Sequence, residues 1–423
     1  MPTAAMPMKR LLKFFTQQYL RRSLPHGIVS WRYLFPHPAP NVCIHRQLWL
    51  LGRHPRLPLP LYLFGECFLW LRWVSFACLR SCWRVVLYRG AEISQWEGIG
   101  TATLFLRVLV MGLAHCIPPG EIVTFGLYRL GLRQQAWNYI FFHETHAFHR
   151  WRDVRPGASA AMLTLIQDKS GLADLLASHG VPMVPTLGVL PRNAQLDPTP
   201  YLHATPRLFC KPRHGSASRD NFVIERRGFG NAPVIFTIAS GIKTQLTSLD
   251  ALHKAVGSDD FLVQPVMINH PLFAPLVPSE DAVILRIITE HHPAQDVHCY
   301  CATLEIPHPS DDGKHCHTIL PVEPASGLIL PFPGQRLPAP ALARHDALFA
   351  RLENCDVPFW DEIKTSAKAA HRQLPGLFAI AWDYVITPDG PLMLEGNSGW
   401  GATTPQILYG GLLRENPPFV KEN

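Results

Sequence analysis

The chain has 423 residues, a formal charge of +7, 47% hydrophobic residues and 17% charged ones. That length accommodates two or three domains, and the apolar share excludes wholesale disorder. The basic excess gathers in the first ninety residues, at Lys9, Arg10, Arg21, Arg22, Arg72, Arg80, Arg84 and Arg89. The rest is near balanced and carries no basic-aromatic array of the kind that binds nucleic acid.

Residues 1 to about 150 read as a mostly helical domain rich in Trp, Leu and Arg, with proline breaks at Pro36 to Pro40 and Pro55 to Pro60. Two apolar stretches, Leu57 to Leu71 and Thr101 to Ile117, are interrupted or bounded by Glu66, Arg72, Arg107 and His115. Neither offers the ~18 to 20 clean residues of a membrane span. Buried helices are therefore expected, with an interfacial helix around Leu63, Phe64, Phe68 to Trp70 and Trp73 as the alternative. His143, His146 and His149 recur every third residue, but no carboxylate completes a familiar metal pattern, and they read as a helix face. The ten cysteines contain no Cys-x-x-Cys pair; without a secretory signal they read as reduced, mostly buried thiols.

From Ala158 the pattern changes. Ala160 to Gln167 and Leu172 to Ala177 read as helices, the second ended by Gly180-Val181-Pro182. Strands follow at Pro185 to Leu190, Leu208 to Pro212, Asn221 to Glu225 and Phe261 to Pro265. Val283 to Thr289 and His298 to Ile306 then read as an antiparallel pair. Helices alternating with strands, then an antiparallel sheet, is an α+β arrangement.

Three features carry chemistry. Lys211 ends a strand and precedes the small-residue loop Gly215-Ser216-Ala217-Ser218, a cation with backbone N–H donors that suits phosphates. Arg286 alternates with Leu285 and Ile287 in an apolar strand, so it requires an anionic partner or a cleft. Asp383, Glu395 and Asn397 sit on two strands joined at Pro388-Asp389-Gly390. A three-residue loop there sets Asp383 opposite Glu395, and alternation puts Asn397 on the same face. A two-residue loop sends the acids to opposite faces. Three converging oxygen ligands, two of them anionic, suit Mg2+ with bound phosphates.

This hairpin, with Pro358-Phe359-Trp360-Asp361-Glu362 through His371 and Ala379 to Asp383, resembles the sugar-transfer-associated branch of the ATP-grasp superfamily, related to α-L-glutamate ligases. The likeness covers roughly residues 150 to 410. It implies an ATP-grasp fold, two α/β lobes clamping a nucleotide, with a small lobe of about 165–265 and a large lobe of about 266–415. The helical domain 1–150 precedes this 151–423 domain, and its role stays open. By the same resemblance Lys169 and Lys211 contact phosphates, Gly215 and Ser216 belong to the phosphate loop, and Gln264 to Met267, with Val266, form the adenine-reading hinge, assisted by Glu225. Arg286 then meets the γ-phosphate or an acyl-phosphate, with a salt bridge to Asp383 or Glu395 as the competing role. Asp383, Glu395 and Asn397 bridge Mg2+ to the β- and γ-phosphates. The chain departs from the family pattern in having one glycine in the phosphate loop, Ala381 in place of a glycine, and no Asp-Asn or paired glycines near His315 to Val322.

The resemblance implies a cytoplasmic ligase that uses ATP and Mg2+ to join a small-molecule carboxylate to an amine through an acyl-phosphate. Its setting would be polysaccharide or glycoconjugate biosynthesis, with peripheral membrane contact through the N-terminal region at the inner face. A phosphotransferase, or a non-catalytic ATP-binding subunit at the membrane, are the alternatives.

Overall fold

The computed structural model describes residues 39–413, except 54–56, 155–158, 192–197, 204, 215–220, 227–232, 240–241, 247–258, 278–280, 293–294, 310–314 and 334–338. The chain divides into two compact units, one of residues 1–154, 333–343 and 399–423, the other of 155–332 and 344–398.

The first unit is helical. The helix Leu59–Arg72 runs through a π turn, Trp73–Ala77, into Cys78–Glu97, making one helix of 39 residues. Thr101–His115 follows after Gly98, whose φ of 63° suits a residue without Cβ. One stripe of the long helix is buried: Tyr62, Leu69, Trp73, Cys78, Cys82, Val86 and Ile93. A second stripe, Phe64, Phe68, Leu71, Phe76, Leu79, Trp83 and Leu87, faces outward. Both stripes step by five across the π turn (Trp73 to Cys78, Leu71 to Phe76), because that turn inserts one residue and keeps each face in line.

The expectation of buried helices therefore holds for one face only. Phe64 is 65% exposed, Trp83 59% and Leu87 65%. Apolar residues recur on both sides of the helix, and hydropathy does not say which side is buried.

Buried polar pairs tie the rest of this unit. His45 Nδ1 lies 2.8 Å from Glu144 Oε1. The Gln406 amide brackets one residue, accepting from Ile140 N at 2.6 Å and donating to Ile140 O at 2.7 Å. His149 Nε2 donates to Trp400 O at 2.7 Å, while His146 faces solvent and His143 precedes the helix Thr145–Val154, so the three histidines diverge.

The second unit holds two antiparallel sheets. The first joins β1 (Gly188–Leu190), β2 (Arg207–Pro212), β3 (Asn221–Arg226), β4 (Pro233–Ala239), β5 (Ile242–Leu246) and β6 (Phe261–Pro265) in the order β1-β6-β2-β3-β4-β5. The second joins β7 (Ile284–Glu290), β8 (His298–Pro309), β9 (His315–Val322), β10 (Ala379–Thr387) and β11 (Gly390–Asn397) in the order β11-β10-β7-β8-β9. The helix Trp360–Arg372 packs on this second sheet through Ile363, Ala367 and Ala370. Period-two alternation sends Leu285, Ile287, Leu304, Ile306, Trp382, Tyr384 and Ile386 into the shared core. Arg286, Glu305 and Asp383, at the intervening positions, take the opposite face.

A buried polar chain fixes the core side of this sheet. Trp382 Nε1 donates to Thr289 Oγ1 at 2.8 Å, Thr289 Oγ1 lies 2.7 Å from His371 Nδ1, and His371 Nε2 lies 2.9 Å from Leu377 O. The Leu377 carbonyl requires the hydrogen on Nε2, which leaves Nδ1 to accept from the threonine hydroxyl. A second ring proton would force the Thr289 hydroxyl to turn its hydrogen to the more distant Ile380 O at 3.4 Å, and burial lowers the His371 pKa from 6.5 to about 4. In that interval the unfolded chain binds the extra proton, so the contribution is complete above pH 6.5 and fades as pH falls toward about 4. Thermal melts across pH 4 to 7 are expected to show a shallower acid limb for His371→Gln than for the wild type; equal slopes would remove His371 from the acid response.

Gly396 pairs with Trp382 across β10 and β11, and a Cβ there would meet the indole at 2.5 Å. Gly396→Ala is expected to cost about 1–3 kcal/mol by overpacking and to displace the residues on either side, Glu395 and Asn397. A denaturant melt unchanged from wild type would show that the indole yields freely.

Candidate functional site

The hairpin turns more tightly than the sequence suggests. Thr387 pairs with Gly390, leaving the two-residue loop Pro388-Asp389, where three residues were expected. Gly390 adopts φ 137°, and Thr387 Oγ1 donates to Gly390 O at 2.8 Å, closing the turn. By parity alone such a loop separates the two acids. A β-bulge restores them: Tyr384 pairs with Met393 and Asp383 with Glu395, so Leu394 is the extra residue. The expected juxtaposition is present, reached by a different route.

The bulged residue is also a contact point. Lys211, 6% exposed on β2, donates from Nζ to Leu394 O at 3.2 Å. Burial lowers its pKa, opposed by the charges of Glu395 and Asp383 and reinforced by Lys169. The lysine of one sheet thus bonds the bulged residue of the other, near enough to Glu395 and Asp383 to feel their charge. The bulge leaves the outer edge of β11 engaged: Val184 N donates to Met393 O at 2.9 Å and Met393 N to Pro182 O at 2.8 Å.

Arg286 forms the salt bridge foreseen as its competing role. Its Nε and Nη2 donate to the two oxygens of Asp383 at 2.7 and 2.9 Å, and Nη1 reaches Glu305 Oε1 at 3.3 Å. Arg286 and Asp383 are directly paired across β7 and β10. Burial raises the Asp383 pKa to about 6, against the lowering by Arg286. Burial alone would discharge Arg286, but Asp383 and Glu305 outweigh it and raise its pKa. Glu305 was not singled out in the sequence. The signal was available only through register, since β8 sets Thr303 opposite Arg286 and brings Glu305 to the same face two residues on.

Asn397 Nδ2 donates to Glu395 Oε1 at 3.3 Å, which turns its amide oxygen elsewhere. Each carboxylate oxygen has two lone pairs, so Asp383 can accept from Arg286 and still ligate a cation. Two carboxylates on one face, joined by the Asn397 amide oxygen once that side chain rotates, fit a hard divalent ion such as Mg2+.

The remaining residues spread along the first sheet and its borders. Lys169 opens the helix Lys169–Ser178, capped by Asp168, and its Nζ lies 3.4 Å from Pro212 O, the residue after Lys211. Arg213 clamps Asp168 with two bonds of 2.8 and 2.7 Å, fixing that helix start beside β2. Glu225 is held by Arg207 at 2.9–3.0 Å, its cross-strand neighbour. Gln264 is buried on β6, and Val266 N donates to Arg207 O at 3.3 Å. Gly215 and Ser216 lie outside the described residues.

A buried cation on one antiparallel sheet, near the acids of another, is chemically suited to anionic, metal-bearing groups such as nucleotide phosphates. Residues 155–420 match the family described as sugar-transfer associated ATP-grasp, and the chain belongs to that family. Its fold is the ATP-grasp fold, preceded by a helical region. No curated protein matches the chain. Among solved structures it is similar to the D-alanine-D-alanine ligase from Coxiella burnetii, at 14% identity over 62% of this chain and 58% of that one, with a TM-score of 0.35. It is also similar to D-alanyl-alanine synthetase A from Vibrio cholerae O1 biovar eltor str. N16961, at 13% identity, 60% and 61% coverage and a TM-score of 0.37. N5-carboxyaminoimidazole ribonucleotide synthetase from Thermotoga maritima shows 12% identity, 56% and 43% coverage and a TM-score of 0.31. The chain spans about half the length of these structures.

Proposed function

We propose that the protein is an ATP- and Mg2+-dependent ligase that joins a carboxylate to an amine. The observation that carries this reading is the Lys211 ammonium lodged at the Leu394 carbonyl, beside Asp383 and Glu395. A carboxylate oxygen of the substrate attacks the γ-phosphorus of ATP, the bond to the β-phosphate oxygen breaks, and ADP leaves. The amine then attacks the acyl-phosphate carbon, phosphate departs with the former carboxylate oxygen, and an amide remains. Lys211 and Lys169 neutralise phosphate charge, and Arg286 supplies fixed positive charge where it accumulates during transfer. Mg2+ held by Asp383, Glu395 and Asn397 would add charge neutralisation at the β- and γ-phosphates. Gln264 and Val266 flank adenine at the strand end, with Glu225 nearby, and Gly215 and Ser216 complete the phosphate loop. No group on the protein need become covalently modified.

Incubation with an 18O-labelled carboxylate and an amine is the test. Label in the released phosphate is expected. ADP release with unlabelled phosphate overturns the ligase reading, and a phosphorylated product stable to hydroxylamine replaces it with phosphotransfer.

The family description supports a setting in polysaccharide or glycoconjugate synthesis, and the exposed apolar stripe of the helical unit supports a place at the inner face of a membrane. Its long helix is apolar and long enough to cross a bilayer by length and composition. One stripe is covered by protein, however, and Arg80 and Arg84 are exposed near Leu79 and Trp83 on the other. Of its acids Glu66 is buried, Glu92 lies 3.8 Å from Arg89, and Glu97 is bound by Arg129. An apolar stripe flanked by arginines with its acids engaged suits lying in an anionic interface.

A further inference from the structure

We infer that the end of the β7–β8 hairpin is a second metal site, built from Glu290, His292 and His298 for a borderline divalent cation of the zinc class. It is independent of the nucleotide cation: Glu290 lies four residues along β7 from Arg286, roughly 13 Å away at ~3.3 Å per residue.

Glu290 is the last residue of β7 and pairs directly with His298, the first residue of β8. His292 follows two residues after the glutamate, so the hairpin delivers all three from one short stretch. Both histidines aim Nε2 at the same oxygen, Glu290 Oε2, at 3.5 Å from His292 and 3.8 Å from His298. All three ligand atoms lie within 4.8 Å of one another, and no other such group occurs among the described residues.

Those separations are long for hydrogen bonds to a carboxylate, which settle at roughly 2.7–3.2 Å. They are close to the edges of a coordination tetrahedron. Bonds of about 2.0–2.1 Å to nitrogen and oxygen place neighbouring ligands about 3.3–3.4 Å apart. The two carboxylate–imidazole edges close by a few tenths of an ångström, and the imidazole–imidazole edge, within 4.8 Å, closes by rotation of two half-exposed rings.

The surroundings favour a bound cation. Glu290 is 3% exposed, so its charge is costly unless compensated. The His292 ring is held edge-on by Phe378 at 4.8 Å and stacks on His298 at 5.3 Å. Two imidazole nitrogens and a carboxylate oxygen suit zinc better than magnesium or calcium, and the exposed side leaves a fourth position for water. An ion there cross-links the end of β7 to the start of β8 on the same hairpin.

The experiment uses the full chain, stripped with chelator and dialysed, then titrated with Zn2+ and with Co2+ alone. One equivalent of Zn2+ is expected to bind and raise the melting temperature. Co2+ is expected to give the visible d–d bands of tetrahedral nitrogen and oxygen ligation, much stronger than those of hydrated Co2+. The variants His292→Gln and His298→Gln should each weaken binding at least about tenfold while ATP affinity stays unchanged. Absence of stoichiometric binding, or an intense near-ultraviolet thiolate band placing the ion on cysteines, overturns the assignment. The cobalt spectrum of the wild type decides the matter even where a variant fails to fold.

Discussion

Replacing Arg286 by methionine is expected to lower the stability of the second unit by about 3–5 kcal/mol and to abolish ATP turnover together. The stability loss arises because both oxygens of Asp383 receive their hydrogen bonds from this guanidinium, while burial already strains the carboxylate toward its neutral form. Removing the cation leaves a desolvated acid that Glu305 and Glu395 repel further. The pair Arg286→Met with Asp383→Leu separates two roles. Without either charge the site becomes apolar, and stability should return to within ~1–2 kcal/mol of wild type while ATP turnover remains absent. Urea melts and ADP release on the same three proteins decide it. If the single variant melts like the wild type, the bidentate bridge is not what holds β7 to β10. Turnover in the double variant would dismiss this face as the nucleotide site. Arg286→Lys adds a graded test, since an ammonium keeps the charge but loses the fork.

The second large effect belongs to the helical unit. Wild-type protein is expected to co-sediment with vesicles containing anionic lipid and to be released by salt, with weaker retention on neutral vesicles. Phe64→Glu combined with Trp83→Glu should abolish this. Each inserted side chain contributes about 1.5–3 kcal/mol of apolar burial, so losing two weakens partition by more than about a hundredfold. Arg80→Gln and Arg84→Gln act through charge, at about 1 kcal/mol each, and should flatten the salt dependence first. Both aromatic positions are more than half exposed, so the fold should tolerate the change. Failure of the wild type to bind either vesicle would sink the interfacial reading. Retention that survives alkaline carbonate would favour a spanning helix instead.

Most strands of the second unit were legible because their alternation is clean. Leu285, Arg286 and Ile287 announce a two-faced strand, and the antiparallel partners His298 to Ile306 follow at hairpin distance. The expected opposition of Asp383 and Glu395 is present, yet its stated cause was mistaken. Loop length is a local property, whereas the bulge at Leu394 occurs where Lys211 approaches from a strand far away in sequence. The salt bridge of Arg286 was foreseen as one of two roles, since a charge in an apolar strand needs a partner. Glu305 was missed because an acid on an alternating strand looks like any solvated residue until register places it. Glu290, His292 and His298 were missed similarly: the glutamate reads as a strand end, and only pairing sets it against His298.

The order of residues alone therefore determined the α+β class, most strands of the two sheets and the two acids that face one another across the final hairpin, because periodicity and residue chemistry are local. Tertiary structure decided the rest: which apolar stripe of the long helix is covered, how residues 399–413 join the helical unit through Gln406 and Trp400, and how one extra residue realigns the acidic face. Those outcomes depend on partners distant along the chain, and burial or register exists only once the partners have met.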